Sequence, residues 1–363
     1  MTPPGPDADD GTREDSGSAS LAEVARRSGV SLSTASRVLN PASTHAVSEA
    51  TRRRVQEVAE ALDFHPNGIA RSLQARRSLL IAIVVHDVRD PYFNECARAA
   101  SDEAAASGYL SVICNTDRDV ETELRYVQAL RQNRVAGILF IGGGLEDATY
   151  QRDLARHLTA IRAYGGAAVA LGPRGDRLPA EVPDNHGGAR LAIRHLLSLG
   201  HRRVAFIDGP PGLITSRERH AGYRAELTDA GVPYQDELVE SGGFSVEGGA
   251  AAMRRLLERK ARFTAVFASN DAMAIGAVQA LRLAGLKIPD DVSVVGFDAI
   301  PFVQWMDPPL TTISVPMAEI GRSGARRLVA LIDGKPDAGR KVNVHPTLLV
   351  ELGSTGPPPS PRD

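Results

Sequence analysis

The chain has 363 residues, and its 42 lysines and arginines against 44 aspartates and glutamates give a formal net charge of -2. A chain of this length is expected to form two or three domains, because a single core rarely grows beyond about 250–300 residues. This near-neutral net charge excludes a chain that is basic throughout. A content of 43% hydrophobic and 24% charged residues is typical of a soluble globular protein. The sequence has no apolar run of about 18 residues and no basic, apolar leader, so we expect a cytoplasmic protein.

The charges are segregated along the chain. Residues 1–19 carry five carboxylates against one arginine and are rich in Gly, Ser and Pro, which predicts a disordered acidic tail. Residues 20–77 reverse the sign, with nine arginines against five acidic residues. The Gly- and Pro-rich segment 354–363 is predicted to be a second disordered tail. Two cysteines without CxxC spacing and scattered histidines predict neither a metal site nor a cofactor.

The basic segment contains the start and stop signals of three short helices. Ser20 and Glu23 form a capping box before the first helix, which stops at Gly29. Ser31 can cap a second helix directly after this turn. A third helix begins after Ser48 and ends near residue 63, because a proline follows. Two short helices joined by a Gly-containing turn are typical of a helix-turn-helix, so we predict an all-α helix-turn-helix headpiece over residues 20–64.

The second of these helices is the candidate DNA-reading element. In a helix-turn-helix it lies in the major groove with its N-terminal side chains at base edges. Arg37 would then make a bidentate contact to guanine, while Ser33 and Thr34 reach bases or phosphates. The alternative is a helical hairpin that serves only as a packing module with solvated arginines. A basic three-helix fragment by itself leaves both interpretations open.

Four segments of this region form a longer ordered pattern: LAEVARRSGVS at 21–31, STASRVLN at 33–40, VS at 47–48 and PNGIARSL at 66–73. In this order and spacing they resemble the DNA-binding headpiece of the LacI/GalR family. The resemblance implies a hinge helix and linker over 65–78 that orders when two copies meet on operator DNA, with a plain flexible linker as the alternative. It also implies a minor-groove wedge that kinks a base step. The candidate DNA contacts are Leu32, Ser33, Thr34, Ser36, Arg37, Asn40, Asn67, Ala70 and the wedge residue, Leu73.

The headpiece departs from the family pattern in three places. The loop at 41–46 is two residues longer than the usual form, and Asp63 replaces a frequent glycine. Leu32 stands where a polar or aromatic base-reading residue is common. The operator sequence therefore does not carry over from the family.

From residue 79 onward, short apolar runs alternate with amphipathic stretches. Strands are predicted at 79–85, 110–114, 137–141, 204–208, 238–241, 264–268 and 292–297. Helices between them are typical of parallel βαβ units, so we predict an α/β core of two doubly wound lobes. The family resemblance extends here through GHRRVAFI at 200–207, ASND at 268–271, SVVGFD at 293–298 and PLTTI at 309–313. It implies a periplasmic-binding-protein-like core with lobe 1 over about 79–180 and 313–341, and lobe 2 over about 181–312 and 342–353.

In open α/β sheets, ligands bind beyond the carboxyl ends of the strands. This rule selects loops that carry polar side chains and aromatic rings, a mixture that suits a sugar and would also hold a purine. By resemblance, Arg219 and Asp298 are the strongest effector contacts. Asn270 alternatively caps a helix, and Phe244 alternatively belongs to the core. The candidate effector contacts are Asp90, Tyr92, Phe93, Asn115, Arg219, Phe244, Asn270 and Asp298.

Two other functional classes compete with a regulator. A Rossmann-like enzyme would be expected to show a Gly-x-Ser-x-Gly, HExxH or Cys/His signature, and the sequence contains none. An exported solute-binding protein matches the two lobes but leaves the headpiece unexplained. We therefore predict a non-enzymatic, homodimeric transcriptional repressor that binds a pseudo-palindromic operator under the control of a small molecule, a sugar, between the lobes. Control by an inducer and control by a corepressor are both compatible with this mechanism.

Overall fold

The computed structural model describes residues 20–39, 47–64, 78–175, 178–335 and 342–360. The chain divides into two compact units, one ending at Ser78 and one beginning at Leu79. No helix among the described residues is long and apolar enough to cross a membrane.

The first unit is a three-helix headpiece, as predicted. Its helices are α1 (Leu21–Arg27), α2 (Leu32–Leu39) and α3 (Glu49–Ala61). The hydroxyls of Ser20, Ser31 and Ser48 accept hydrogen bonds from backbone N–H groups three residues later, at 3.2, 3.1 and 3.3 Å. These bonds satisfy donors that a helix N-terminus leaves free. Each helix contributes to one small core, formed by Val24, Ala25, Ala35, Val38, Val55 and Ala59.

The second unit alternates strands and helices along the chain. Its first half contains β1 (Leu80–Val85), α4 (Pro91–Ala106), β2 (Leu110–Asn115), α5 (Val120–Gln132), β3 (Gly137–Ile141), α6 (Ala148–Ala163), β4 (Ala167–Leu171), β5 (Ala180–Pro183) and α7 (Asn185–Ser198). Its second half contains β6 (Val204–Asp208), α8 (Ile214–Asp229), β7 (Val239–Ser241), α9 (Val246–Glu258), β8 (Ala265–Ala268), α10 (Asp271–Leu283), β9 (Ser293–Asp298), β10 (Thr311–Ser314), α11 (Met317–Ile332), β11 (Val342–His345) and β12 (Leu348–Val350).

These strands form two six-stranded sheets, one in each lobe. The first has the order β11-β5-β4-β3-β1-β2 and is parallel throughout. The second has the order β12-β10-β9-β8-β6-β7, with only the β10–β12 pair antiparallel. The predicted fold, a helical headpiece with a core of two doubly wound lobes, is confirmed.

The lobe boundaries differ from the predicted ones by a few residues. The chain crosses between the lobes after β5, after β10 and after β11, whereas we expected crossings near 180, 312 and 342. Residues 181–183 belong to the first sheet because they pair with β11, and β11 itself belongs there for the same reason. Residues 313–314 stay in the second sheet because they pair with β9. Strand pairing, which the sequence does not display, sets these boundaries.

The prediction of a disordered tail over 354–363 is wrong for its first residues. Ser354 is buried, its Oγ donates to Val294 O at 2.6 Å, and it accepts from Thr311 N at 2.8 Å. Gly356 N donates to Ser293 Oγ at 3.0 Å. A Gly- and Pro-rich segment cannot form a helix, but in an extended conformation it can still satisfy the backbone groups of a neighbouring strand. Residues 361–363 lie outside the described part of the chain.

Candidate functional site: the exposed face of helix α2 and the cleft between the lobes

Helix α2 turns a polar face away from the headpiece core. Ala35 and Val38 are buried, whereas Ser33, Arg37 and Leu32 are exposed, the leucine by 53%. Thr34 and Ser36 are partly buried. The predicted contacts Asn40, Asn67, Ala70 and Leu73 lie outside the described residues.

The hydroxyls at the start of α2 are linked to one another. Ser31 Oγ lies 2.9 Å from Ser33 Oγ and 2.8 Å from Thr34 Oγ1. A hydroxyl both donates and accepts, so this group can rearrange to meet an acceptor outside the protein. The exposed face thus combines short, adaptable hydroxyls with the long guanidinium of Arg37.

In the second unit, a small cavity of about 40 Å³ lies between the lobes, beyond the carboxyl ends of the strands. Both lobes contribute to its walls. Seven of the eight predicted effector contacts line it: Asp90, Tyr92, Phe93, Arg219, Phe244, Asn270 and Asp298. Most of the loops that the topological rule for open α/β sheets selects therefore contribute to this one cavity.

Arg219, on α8, is the centre of the polar network in lobe 2. Its Nη2 donates to Asp298 Oδ1 at 3.1 Å and its Nε donates to Asn185 Oδ1 at 3.0 Å. Its Nη1 donates to the carbonyl oxygen of Ser269. The guanidinium carbon lies 3.7 Å from the centroid of the Phe297 ring. With every nitrogen engaged and an aromatic ring against it, the buried guanidinium has one fixed orientation.

Asp298 ends β9 in an unusual environment. Burial raises the pKa of this carboxyl to about 7, although the neighbouring Arg219 opposes the rise. Its backbone has φ of 113°, in the region that favours glycine. Behind it, the buried Asp271 accepts hydrogen bonds from Ile300 N and Thr312 Oγ1 at 2.8 and 2.5 Å, which fixes the turn after β9. Near neutral pH, a carboxyl group with this pKa can either donate a hydrogen bond to a ligand or accept one from it.

Two further predicted contacts have structural roles as well. Asn270 Oδ1 accepts from Met273 N at 2.9 Å, so the capping alternative is confirmed while the residue also lines the cavity. Asp90 Oδ1 likewise accepts from Tyr92 N at 3.0 Å and caps α4. Phe244, with φ of 61°, packs against the lobe 2 core and also lines the cavity.

Asn115 does not line the cavity. Its Oδ1 accepts from Val88 N at 2.8 Å, and its Nδ2 donates to Asp117 Oδ1 at 2.9 Å. These bonds hold two neighbouring loops together. Asn115 was predicted as an effector contact because it ends β2. Its amide is instead engaged by Val88 and Asp117, and Arg118 from the same loop lines the cavity.

Sequence reasoning missed four polar residues that line the cavity: His86, Arg118, Asn185 and Thr215. His86 directly follows β1, so the strand-end rule could have selected it. Its Nε2 lies 3.0 Å from Gly143 O, and burial lowers the pKa of this imidazole to about 4, which leaves it neutral near pH ~7. Arg118 lies in the loop after β2 with φ of 59°. Among the described residues, no cluster of side chains is placed to hold a metal ion.

The two lobes touch along one edge of the cavity through a short backbone bridge. Ile214 N donates to Gly144 O at 3.1 Å, and Glu146 N donates to Gly212 O at 2.9 Å. Arg217 forms an ion pair with Glu146 beside these bonds. Small-molecule sites usually have volumes of roughly 300–1,000 Å³. The cavity is far smaller, so a ligand of sugar size requires the lobes to move apart.

Comparison with known proteins identifies the family. A family model for bacterial regulatory proteins of the lacI family matches residues 20–67, and one for a periplasmic binding protein-like domain matches residues 193–355. The HTH-type transcriptional regulator DegA of Bacillus subtilis is 35% identical over 337 residues, which cover 92% of this chain and 97% of DegA. The chain belongs to the LacI family.

Solved structures of the family are similar over most of the chain. The Lac repressor dimer bound to operator and the anti-inducer ONPF matches with a TM-score of 0.83 and 29% identity, covering 94% of this chain and 100% of that one. The complex of the transcriptional regulator CelR with cellobiose matches with a TM-score of 0.69 and 32% identity, covering 93% and 99%. The family resemblance inferred from the sequence motifs is therefore confirmed.

Proposed function

We propose that this LacI-family regulator is a repressor that binds a pseudo-palindromic operator as a homodimer and is controlled by a sugar in the cleft. The observation that carries the proposal is the network around Arg219 and Asp298. It lines a cavity shared by two lobes in a chain that also carries a helix-turn-helix at residues 20–67. The protein has no need of catalysis in this role. Since operator DNA is its target, we place its action in the cytoplasm.

DNA recognition is assigned to the exposed face of α2. We propose that Arg37 pairs with guanine in the major groove, with Ser33, Thr34, Ser36 and Leu32 beside it. The Lac repressor dimer, a structural relative, is bound to operator, which supports this arrangement. In the homodimer the two headpieces would read successive half-sites, so the operator is expected to be an inverted repeat. We further propose that Asn40, Asn67 and Ala70 contact the DNA from the segments that flank the headpiece helices.

A sugar suits the cleft better than an apolar effector. The carboxyls of Asp90 and Asp298 can each bind two hydroxyl groups, while the guanidinium of Arg118 can donate to ring or hydroxyl oxygens. The rings of Phe93 and Phe244 offer apolar faces for the C–H side of a sugar. The sugar bound to CelR supports this class of ligand. Neutral imidazole at His86 adds a donor or an acceptor without adding charge.

Control of operator binding is assigned to the angle between the lobes. A sugar that binds one arrangement of the lobes more tightly shifts the population toward that arrangement. The coupling free energy between a ligand site and a DNA site is typically about 1–3 kcal/mol.

For the homodimer, lobe 2 offers exposed apolar side chains at Leu283 (80%), Phe302 (61%) and Trp305 (80%). Apolar surface of this kind is typical of protein–protein contacts.

Two measurements test the proposal. A thermal-shift screen of sugars and nucleobases should find a sugar that stabilises the protein, by about 2.7 kcal/mol when its concentration is 100 times Kd. The shift should vanish in Asp298→Asn, whereas Asn115→Ala, which alters a residue outside the cavity, should retain it. Stabilisation by a nucleobase alone would overturn the assignment to a sugar.

The second measurement is selection of duplexes from a random double-stranded DNA library. The selection is run without ligand and again with the sugar found in the screen, and it should enrich an inverted repeat in at least one condition. Asp298→Asn should give the same result with and without the sugar. A library that yields no enriched sequence in either condition would contradict operator binding.

A further inference from the structure

A second, larger cavity lies on the outer side of the bridge between the lobes. Its volume is about 560 Å³, within the range typical of small-molecule sites. It is lined by residues of α6, the start of α8, the loop after β3, and residues 174, 175 and 178. It shares no lining residue with the cavity in the cleft. We refer to it as the outer cavity.

The floor of the outer cavity is a buried and charge-balanced network. Arg174 Nη1 donates to Glu123 Oε1 and to Tyr150 OH, both at 2.7 Å, and its Nη2 donates to Glu123 Oε2 at 3.1 Å. Burial by itself would raise the pKa of Glu123, but Arg174 outweighs it and holds that pKa below the ordinary value. The pair is therefore ionised and internally neutralised, and the floor is rigid rather than free to capture an ion.

Above this floor the walls are apolar and the rim is polar. Leu154, Leu158 and Leu178 are buried side chains of lobe 1 that face the outer cavity. Across from them, Ile214 belongs to lobe 2. At the rim, the side chain of Arg217 is 59% exposed and forms an ion pair with Glu146, which is 38% exposed. The walls suit a ring system. A guanidinium has five N–H donors, so Arg217 can contact an anionic group beside Glu146.

We propose that the outer cavity is a second ligand site, specific for a small amphiphilic anion: an apolar ring system that carries one carboxylate or sulfonate. The ring system lies against the leucines of α6, and the anionic group contacts Arg217. This site shares no lining residue with the proposed sugar site, and its proposal does not rest on a sugar being the ligand of the cleft.

The occupant contacts both lobes. Gly144, Glu146, Ile214 and Arg217 line the outer cavity and also form the bridge between the lobes. A molecule held there adds contacts that exist only while the bridge is formed. Occupancy therefore stabilises the bridged arrangement, and the site can adjust the response to a ligand in the cleft.

The proposal is tested with the fluorescent probe 1-anilinonaphthalene-8-sulfonate and its uncharged analogue N-phenyl-1-naphthylamine, using the full chain. The sulfonate should bind saturably at one site per chain. Ala155→Trp fills the outer cavity and should weaken binding of both probes at least tenfold. Ala163→Trp places the same side chain at an exposed position of the same helix and should change neither affinity. Melting temperatures near that of the parent would show that both variants fold.

Two further variants identify the site and its charge preference. Arg217→Gln should weaken binding of the sulfonate by about 2- to 5-fold, the range of an exposed ion pair, and should leave the uncharged analogue unaffected. Asp298→Asn alters only the cleft and should leave both probes unaffected. Equal binding to Ala155→Trp and Ala163→Trp, or loss of binding in Asp298→Asn, would overturn the proposal.

Hydrogen exchange tests the link to the bridge. With the sulfonate bound, the backbone amides of Glu146 and Ile214 should exchange more slowly, and this protection should be absent in Ala155→Trp. Unchanged exchange at these two amides with the probe bound would refute stabilisation of the bridge.

Discussion

Replacement of Arg219 by methionine isolates the contribution of the buried guanidinium. The Arg219→Met side chain fills much of the same space but cannot donate hydrogen bonds. Asp298, Asn185 and Ser269 would each lose the bond that Arg219 now donates. The side chains of Arg219 and Asp298 are only 4% and 6% exposed, so water does not replace the lost partner without rearrangement.

The size of the effect follows from the burial of the pair. Breaking a buried ion pair by removing one partner costs about 3–5 kcal/mol, because a charge is left uncompensated. For a unit of this size, 1 kcal/mol corresponds to roughly 2–4 °C in melting temperature, so Arg219→Met should melt about 6–20 °C below the parent when Asp298 is ionised. When Asp298 is protonated, the remaining loss is that of the hydrogen bonds to Asn185 and Ser269, about 1–3 kcal/mol.

The loss should therefore depend on pH. Burial raises the folded-state pKa of Asp298 from 3.8 to about 7, so this carboxyl favours the folded state at low pH and the benefit disappears as the pH rises through about 7. Without Arg219 the pKa of Asp298 rises further, because Arg219 is the group that lowers it. The difference in stability between Arg219→Met and the parent should be small near pH ~5 and should grow toward pH ~8.

Thermal unfolding by circular dichroism, without added ligand, measures this difference at both pH values. Arg254→Met on the exposed face of α9 is the matched control and should change stability by less than about 0.5 kcal/mol. Adding Asp298→Asn to Arg219→Met should restore part of the stability at the higher pH, because it removes the unpaired carboxylate. A deficit below about 1 kcal/mol near pH ~8, or an equal deficit at both pH values, would refute the reasoning.

Three other substitutions test the headpiece, the hinge segment and the C-terminal segment. Arg37→Ala should weaken binding to the selected operator by about 1–3 kcal/mol in fluorescence anisotropy and relax the preference at one base pair, and an unchanged preference would exclude the guanine contact. Leu73→Ala should weaken binding to an operator that must bend and spare nonspecific DNA, so equal losses on both would argue against a wedge. Ser354→Ala removes the side-chain hydrogen bonds to Val294 O and Thr311 N and should lower the free energy of unfolding in urea by about 2–4 kcal/mol. The exposed Ser360→Ala should not lower it, and equal stability of the two variants would contradict a packed segment at Ser354.

Local signals in the sequence were sufficient for the headpiece. Capping serines at 20, 31 and 48 and a proline after the third helix define three helices, because these signals act within a few residues of where they occur. The alternation of apolar strands with helices likewise predicted parallel sheets, and the rule for strand ends then selected most of the cavity lining.

The sequence alone gave a wrong or incomplete result wherever the outcome depends on partners distant in the chain. Asn115 ends a strand like the other candidates, but its amide bonds to Val88 and Asp117, and Arg118 from the same loop lines the cavity instead. Ser354 lies in a segment with the composition of a tail, yet Val294 and Thr311 pair with it. A backbone group that needs a hydrogen bond will accept one from any segment that folding brings to it.

The sequence by itself thus determined the helices, the strands, the two kinds of domain and the family. The tertiary structure decided which strand ends meet, how Arg219 is held and where the lobes touch. The bridge between Gly144 and Ile214 joins residues 70 positions apart, and both residues also line the outer cavity beside α6. The periodicity of apolar residues predicts which side chains of a helix or strand are buried, because that face is set by local spacing. Contacts between remote segments depend on tertiary packing, which no local pattern encodes.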